Sequence, residues 1–208
     1  VLHGFFGIIS IKHFLSASTM QQTKALLIRK YRLSETSLIL VWLTQEHGKV
    51  KTAAQGAMKQ ASTFAGCLDL FGEVEIAFSW SKKSDLHILK EVVPMIPQRQ
   101  MIPGYLTLLS ASYFAELCDL FIEQSHPVPE LFDLLSRAFG FLSNKAPTRA
   151  AVEYFEQELA KALGIFNPLL SAKESLSTTG SQLPPSRKRL LDQLGAEKRQ
   201  TTSPDVSS

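Results

Sequence analysis

The sequence predicts an α+β protein, with a small closed barrel of five strands in its first half and helices in its second. Three observations carry this expectation. Between residues 23 and 93 the apolar side chains recur at every second position in short runs, from residue 106 they recur at spacings of three and four, and Pro94, Pro97 and Pro103 stand where the period changes. At 208 residues and 45% hydrophobic, the chain is long enough to bury one or two ordinary cores.

Each element has its own signal. The first strand, Thr23 to Tyr31, places Leu26 and Ile28 on one face. Arg32 to Thr36 form a polar connection to Ser37–Leu43, which is apolar throughout, as a strand covered on both sides would be. Gln45-Glu46-His47-Gly48 reads as a tight hairpin, with Gly48 supplying positive φ. In the third strand Val50, Thr52 and Ala54 alternate with Lys49, Lys51 and Ala53, so both lysines share a face. Gly56 to Leu70 breaks the pattern as a loop or short helical turn. Val74, Ile76, Phe78 and Trp80 then give a clean alternation, and after Ser81-Lys82-Lys83-Ser84 a last strand places Leu86, Ile88 and Val92 in phase. Five strands with a long insert between the third and fourth match a barrel of the oligonucleotide-binding (OB) type, which leaves few exposed edges.

The helical half follows the other period. Leu106, Leu109, Tyr113, Leu117 and Leu120 define one apolar stripe; Leu131, Leu135, Ala138 and Leu142 a second; Val152, Phe155, Leu159 and Ala162 a third that Gly164 terminates. The expected organisation is an OB-fold DNA-binding domain over 20–96, a helical domain over 97–169, and a polar, mobile tail over 170–208 with at most a short helix from Ser186 to Leu194. Residues 1–19 have an apolar run to Ile11 followed by Lys12 and His13. A secretory leader carries its charge ahead of the apolar run, and a membrane span needs about 18 uninterrupted apolar residues, so a non-structural extension before a natural start at Met20 is expected.

Charge and composition narrow the function. Residues 20–100 hold eleven lysines and arginines against seven acids, whereas 101–169 hold four against eight, so the two halves should meet different partners. Cys67 and Cys118 each stand alone and the five histidines lie far apart, which supports neither a disulfide framework nor a metal site, and a cytoplasmic protein without cofactor is expected. No GxSxG, HExxH, GxGxxG or phosphate-loop pattern occurs. The carboxylate pairs Glu73/Glu75 and Glu153/Glu156 read as solubility features on exposed faces, so an enzyme is not expected.

In an OB barrel a nucleic acid lies across strands two and three, against the loops joining strands one to two and four to five. The cations gather there: Lys24, Arg29, Lys30 and Arg32 on or after the first strand, Lys49 and Lys51 on the third, Lys59 in the following loop, and Lys82 with Lys83 in the last. Tyr31, Phe64 and Trp80 are candidates for stacking on bases. Lysines on an open strand face are ordinarily only solvated, and Trp80 by its phase belongs to a core. A competing reading is a protein adaptor in which the barrel is a scaffold and Arg137, Lys145 and Arg149 of the helical half receive an acidic peptide.

The run TKALLIRKYRLSETSLILVWLTQEHGKVKTAAQGAMKQASTFAGCLDLF resembles the amino-terminal domain of the RecO family of bacterial recombination mediators. The likeness rests on the opening strand from Lys24, Glu35-Thr36-Ser37, the Thr44 to Lys49 turn, Gly56-Ala57 and Phe64-Ala65-Gly66, and continues to Leu163-Gly164 and Pro168-Leu169. It implies a DNA repair and recombination mediator that binds single- and double-stranded DNA and anneals single strands. It further implies work with RecR and the single-strand-binding protein to load RecA; in the adaptor reading, the acidic peptide received by Arg137, Lys145 and Arg149 is one such as that protein's tail. Two departures stand out. Gly56-Ala57 is followed by Met58-Lys59-Gln60 where such chains often have two or more basic residues, and no cysteine follows Pro168-Leu169 where many carry a zinc site.

Overall fold

A computed structural model describes residues 20–95 and 104–202, with side chains to residue 197. The expected extension over 1–19 lies outside the described residues. Five strands, β1 (Met20–Arg32), β2 (Leu38–Thr44), β3 (Gly48–Ala54), β4 (Glu73–Ser79) and β5 (Leu86–Pro94), close into a barrel of order β1-β2-β3-β5-β4, with β3 and β5 parallel and every other pair antiparallel. Helices α1 (Tyr105–Phe121), α2 (Pro129–Asn144) and α3 (Arg149–Ala162) follow, then α4 (Ala172–Ser177) and α5 (Ser186–Thr202). This is the α+β arrangement that the two hydrophobic periods predict.

The barrel strands sort their side chains between two cores. Ala25, Leu27, Leu40, Trp42, Val50, Ala54, Val74, Ile76, Phe78 and Leu89 point inward. Trp42 is fully buried, and its indole N–H donates to Thr52 Oγ1 at 2.8 Å, which meets the donor that burial would otherwise strand at a cost of about 1–3 kcal/mol. The opposite faces of β1 and β2 supply Leu26, Ile28, Val41 and Leu43 to the helical core, so these strands are apolar on both sides because both sides are covered. A bulge between Leu27 and Arg29 then resets the phase of β1. Beyond it Arg29 pairs with Val41 and Tyr31 with Ile39, and both turn to the outside of the barrel.

A second irregularity changes the expected face of β5. The register slips between Ala77 and Phe78, so that Leu89 and Val92 enter the barrel while Ile88 stands outside and 39% exposed. The strict alternation expected for Leu86, Ile88 and Val92 is therefore corrected. In α1 the buried face is Ala111, Tyr113, Phe114, Leu117 and Cys118, and Leu120 is exposed rather than part of the stripe. The stripes of α2 and α3 match their spacing, and Gly164 at φ 70 lets the Ile165 N–H return to Ala160 O at 2.9 Å, closing α3.

The mobile tail expected after residue 170 is corrected over the described residues, which form two helices up to Thr202. Ser171 and Glu174 cap α4 reciprocally, and α5 is longer than the Ser186 to Leu194 helix expected, burying Leu190, Leu191 and Leu194 in the helical core. Its attachment is polar as well. Arg187 donates from Nε and Nη2 to the two oxygens of Glu156 at 2.7 and 2.9 Å, and Tyr113 Oη donates to the same carboxylate at 2.6 Å. Glu156 has 0% exposure, which corrects its reading as a solvated surface acid. Burial, with the Glu156 carboxylate beside it, pushes the Tyr113 hydroxyl up from its ordinary value, so it stays a donor.

Barrel and helices are joined by polar contacts around the shared core. Ser136 Oγ donates to Glu73 Oε2 at 2.6 Å. The segment after α1 lies against the start of β3: Ser125 N donates to Lys49 O at 3.1 Å, and a Cβ on Gly48 would come within 2.1 Å of His126 O. Gly48 thus serves two requirements, the positive φ of the hairpin and the close backbone approach.

Candidate nucleic-acid interface

The outer face of β1, β2, β3 and β5 carries one row across four strands. Tyr31 lies opposite Ile39, Ile39 opposite Ala53, and Ala53 opposite Ile88. Tyr31 is 49% exposed and Ile88 is exposed, while Ile39 is half-buried and Ala53 is buried, so the row is an apolar and aromatic strip that opens to solvent chiefly at its two ends. The connection from β1 to β2 extends it with exposed Leu33, and exposed Met58 is tied to that connection by its N–H to Thr36 O at 3.0 Å. Tyr31 is held in place by Arg29, whose Nη1 donates to Tyr31 Oη at 3.3 Å.

The next row toward the β2–β3 hairpin is different. Asp119, in the last turn of α1, meets Arg29 Nε at 3.0 Å through Oδ2 and Lys49 Nζ at 3.1 Å through Oδ1, and Lys49 also donates to the Asp119 carbonyl at 2.7 Å. Lys49 is only 14% exposed as a side chain. The Gln124 amide lies between Lys51 and Asp85, and the orientation that satisfies both of its atoms lets Lys51 donate to its oxygen at 3.0 Å and its nitrogen donate to Asp85 Oδ2 at 3.2 Å. The two lysines share a face as their alternation predicts, yet the helical unit covers that part of the face, so they do not form an open wall.

The remaining sequence-predicted cations are dispersed. Lys30 donates to Leu68 O at 3.2 Å and Arg32 to Ser34 O at 3.2 Å, both at the end of the barrel nearest the first connection. Lys59 is exposed and its side chain folds over Gly56. Lys82 and Lys83 are exposed at the other end of the strip, between β4 and β5. Lys24 lies opposite Glu75 on the β1–β4 side of the barrel, away from the strip. Of the three aromatic candidates, only Tyr31 is open on this face. Phe64 is buried in the barrel core because the insert before β4 folds back over that end, which corrects its reading as a stacking residue. Trp80 is half-buried and packs edge-on against His87, ring centres 4.2 Å apart, beside Phe78 and His47.

Ile39, Ile88, Asp119 and Gln124 are the members of this surface that the sequence reading missed. Ile88 stood in an apolar phase that the β4–β5 irregularity alone reverses, and Asp119 meets the barrel across about ninety residues of chain. No local signal announces either.

A second surface lies on the helical unit. Phe114, Leu134, Ala138, Phe141, Ala151, Tyr154 and Phe155 line an open apolar hollow of about 280 Å³ with Arg137 on its wall. Lys145 sits over the Phe141 ring at 5.8 Å, and Arg149 pairs with Glu153 at 3.4 Å in the first turns of α3. Arg137 and Lys145 thus stand at or beside an apolar hollow, and Arg149 lies on the helix that forms part of its wall. Among the described residues no group of three His, Cys, Asp or Glu side chains gathers as a metal site, and no helix is long and apolar enough to cross a membrane.

A five-stranded OB barrel sharing a core with a helical bundle, with an apolar strip on its outer sheet face, defines an OB-fold protein with a helical second half. Residues 20–96 match the family model described as Recombination protein O N terminal, and residues 104–181 that described as Recombination protein O C terminal. The chain belongs to the RecO family. It is 30% identical over 156 residues to the DNA repair protein RecO of Salinibacter ruber, covering 73% of this chain and 58% of that one. It is 28% identical over 141 residues to that of Idiomarina loihiensis, covering 68% and 59%, and 28% identical over 166 residues to that of Polaromonas naphthalenivorans, covering 79% and 65%. The chain therefore spans less than two thirds of the length of these curated relatives.

Proposed function

We propose that this chain acts in DNA repair as a recombination mediator, binding single-stranded DNA across the outer face of its barrel and annealing complementary strands. The observation that carries this reading is the Tyr31–Ile39–Ala53–Ile88 strip, apolar and aromatic on an OB sheet face, with Lys30, Arg32 and Lys59 at one end and Lys82 and Lys83 at the other. Bases stack on such a platform without regard to sequence, while lysines and arginines at its ends follow the phosphates. Lys24 contributes to duplex DNA running along the β1–β4 side. The task is non-enzymatic and carried out in the cytoplasm, at the nucleoid, with RecR as a partner and RecA loading as the outcome.

In this reading the helical cavity docks the acidic tail of the single-strand-binding protein. An apolar hollow with Arg137, Lys145 and Arg149 around it offers a pocket for a hydrophobic side chain and charge for flanking acids. The same cavity favours the adaptor reading, in which the barrel only supports the helices. An annealing assay with complementary strands coated with single-strand-binding protein separates the two. A mediator accelerates annealing of coated strands, and Arg137→Glu removes the acceleration while leaving annealing of bare strands intact. An adaptor anneals neither.

A further inference from the structure

On the reading that this sheet face takes a single strand, we propose that Asp119 restrains it. The α1 carboxylate holds Arg29 and Lys49 so that the strand is bound chiefly by the apolar strip and only weakly through phosphate contacts.

Two observations meet here. The carboxylate of Asp119 gives one oxygen to each cation, Oδ2 to Arg29 at 3.0 Å and Oδ1 to Lys49 at 3.1 Å, and the Asp119 carbonyl takes a further bond from Lys49. The cluster of three charges carries one net positive charge instead of two, and its ion pairs are of the short, charge-assisted kind that a phosphate must displace in order to bind. The second observation is position. Arg29 is on the outer face, 39% exposed, and its other guanidinium nitrogen reaches Tyr31 Oη at 3.3 Å, so the restrained cation is the immediate neighbour of the one open aromatic side chain in the row. An acid from another part of the chain is thereby inserted into the sheet face next to its open aromatic.

A restraint of this kind suits a protein that must release strands as well as hold them. Each phosphate contact adds to both affinity and salt dependence, so withholding two cations lowers both. Arg29 keeps a positioning role, since its bond to Asp119 fixes the end that orients Tyr31.

The test is the affinity of a fluorescent oligothymidine for the full chain, measured by anisotropy across a salt series, for the natural protein and Asp119→Asn. The restraint predicts that Asp119→Asn, which releases the exposed Arg29 while Lys49 stays covered and bonded to the Asp119 carbonyl, binds severalfold more tightly at low salt, and that the slope of log affinity against log salt steepens by about 0.7, one cation on a single strand. A folded Asp119→Asn with equal or weaker affinity and an unchanged slope overturns it. Absence of binding by the natural protein at low salt defeats the reading of the face itself, a different result. Should Asp119→Asn fail to fold, amine-reactive labelling of the natural protein decides. Lys49 must label far more slowly than Lys24, Lys59 or Lys82, with or without the oligonucleotide; labelling as fast as those lysines overturns the restraint.

Discussion

Single residues set the stability of the helical half and the response of the barrel to pH. Glu156 accepts two bonds from Arg187 and one from Tyr113 while fully buried, so each oxygen is satisfied and the charge is paired. Replacing it with Gln leaves the Arg187 guanidinium, 17% exposed as a side chain, without its counter-charge. Breaking such a pair costs about 3 kcal/mol, which a urea titration would read as a large fall in midpoint with an unchanged slope. His87 sets a pH limit on the barrel. It is packed against Trp80 and Phe78, and its Nδ1 accepts the Ser81 N–H at 3.1 Å. Burial lowers its pKa from the ordinary value, against a smaller opposing pull from Asp85. The unfolded chain therefore binds a proton at this site more readily than the folded one. Stability from this residue is complete above about pH 6.5 and declines as pH falls from there toward the folded-state value. Thermal melts of the natural protein and His87→Gln between neutral and mildly acidic pH should converge as pH falls. Parallel curves would mean that His87 does not titrate in this way.

At the scale of elements, the strands and the first three helices were legible because their apolar periods are long and locally complete. The residues that give β4 its alternation, Val74, Ile76 and Phe78, all enter the barrel. What escaped is set by interactions between elements. The bulge after Leu27 turns Arg29 and Tyr31 outward, and the β4–β5 irregularity turns Ile88 outward, yet neither leaves a mark in the sequence. The sequence predicts helix α5 only as a short piece of a mobile tail, because after Pro168 the apolar pattern fades into Ser, Thr, Gly, Pro and charge; its buried leucines are Leu190, Leu191 and Leu194. Those three leucines pack on the helical core, and Arg187 adds the bond to Glu156 that composition cannot foresee. Leu190→Ala is accordingly expected to cost about 2–5 kcal/mol of stability, measured by chemical denaturation, because the side chain is fully buried. A loss near zero would return α5 to the status of a tail.

For the whole molecule, the cations that the sequence marks and the surface that the fold leaves open are not the same residues. Clustered lysines suggest an electrostatic groove, whereas the fold turns Lys49 and Lys51 toward Asp119 and Gln124 and leaves Tyr31 and Ile88 exposed with Ile39 half-buried between them. Cations count by sequence but act by availability, and availability depends on what the helical half brings to the sheet. The shared core makes that placement firm, since Leu26, Ile28, Val41 and Leu43 tie the strands of the site to the helices that cover its neighbour. The central claim is that the open strip, more than the covered lysines, holds a single strand. It is tested most directly by titrating a labelled oligothymidine with the natural protein and with Tyr31→Ala. Loss of one stacking contact at about 1–3 kcal/mol predicts affinity lower by about tenfold at every salt concentration, with the salt slope unchanged. Undiminished affinity in Tyr31→Ala, or a loss that vanishes at high salt, would contradict it.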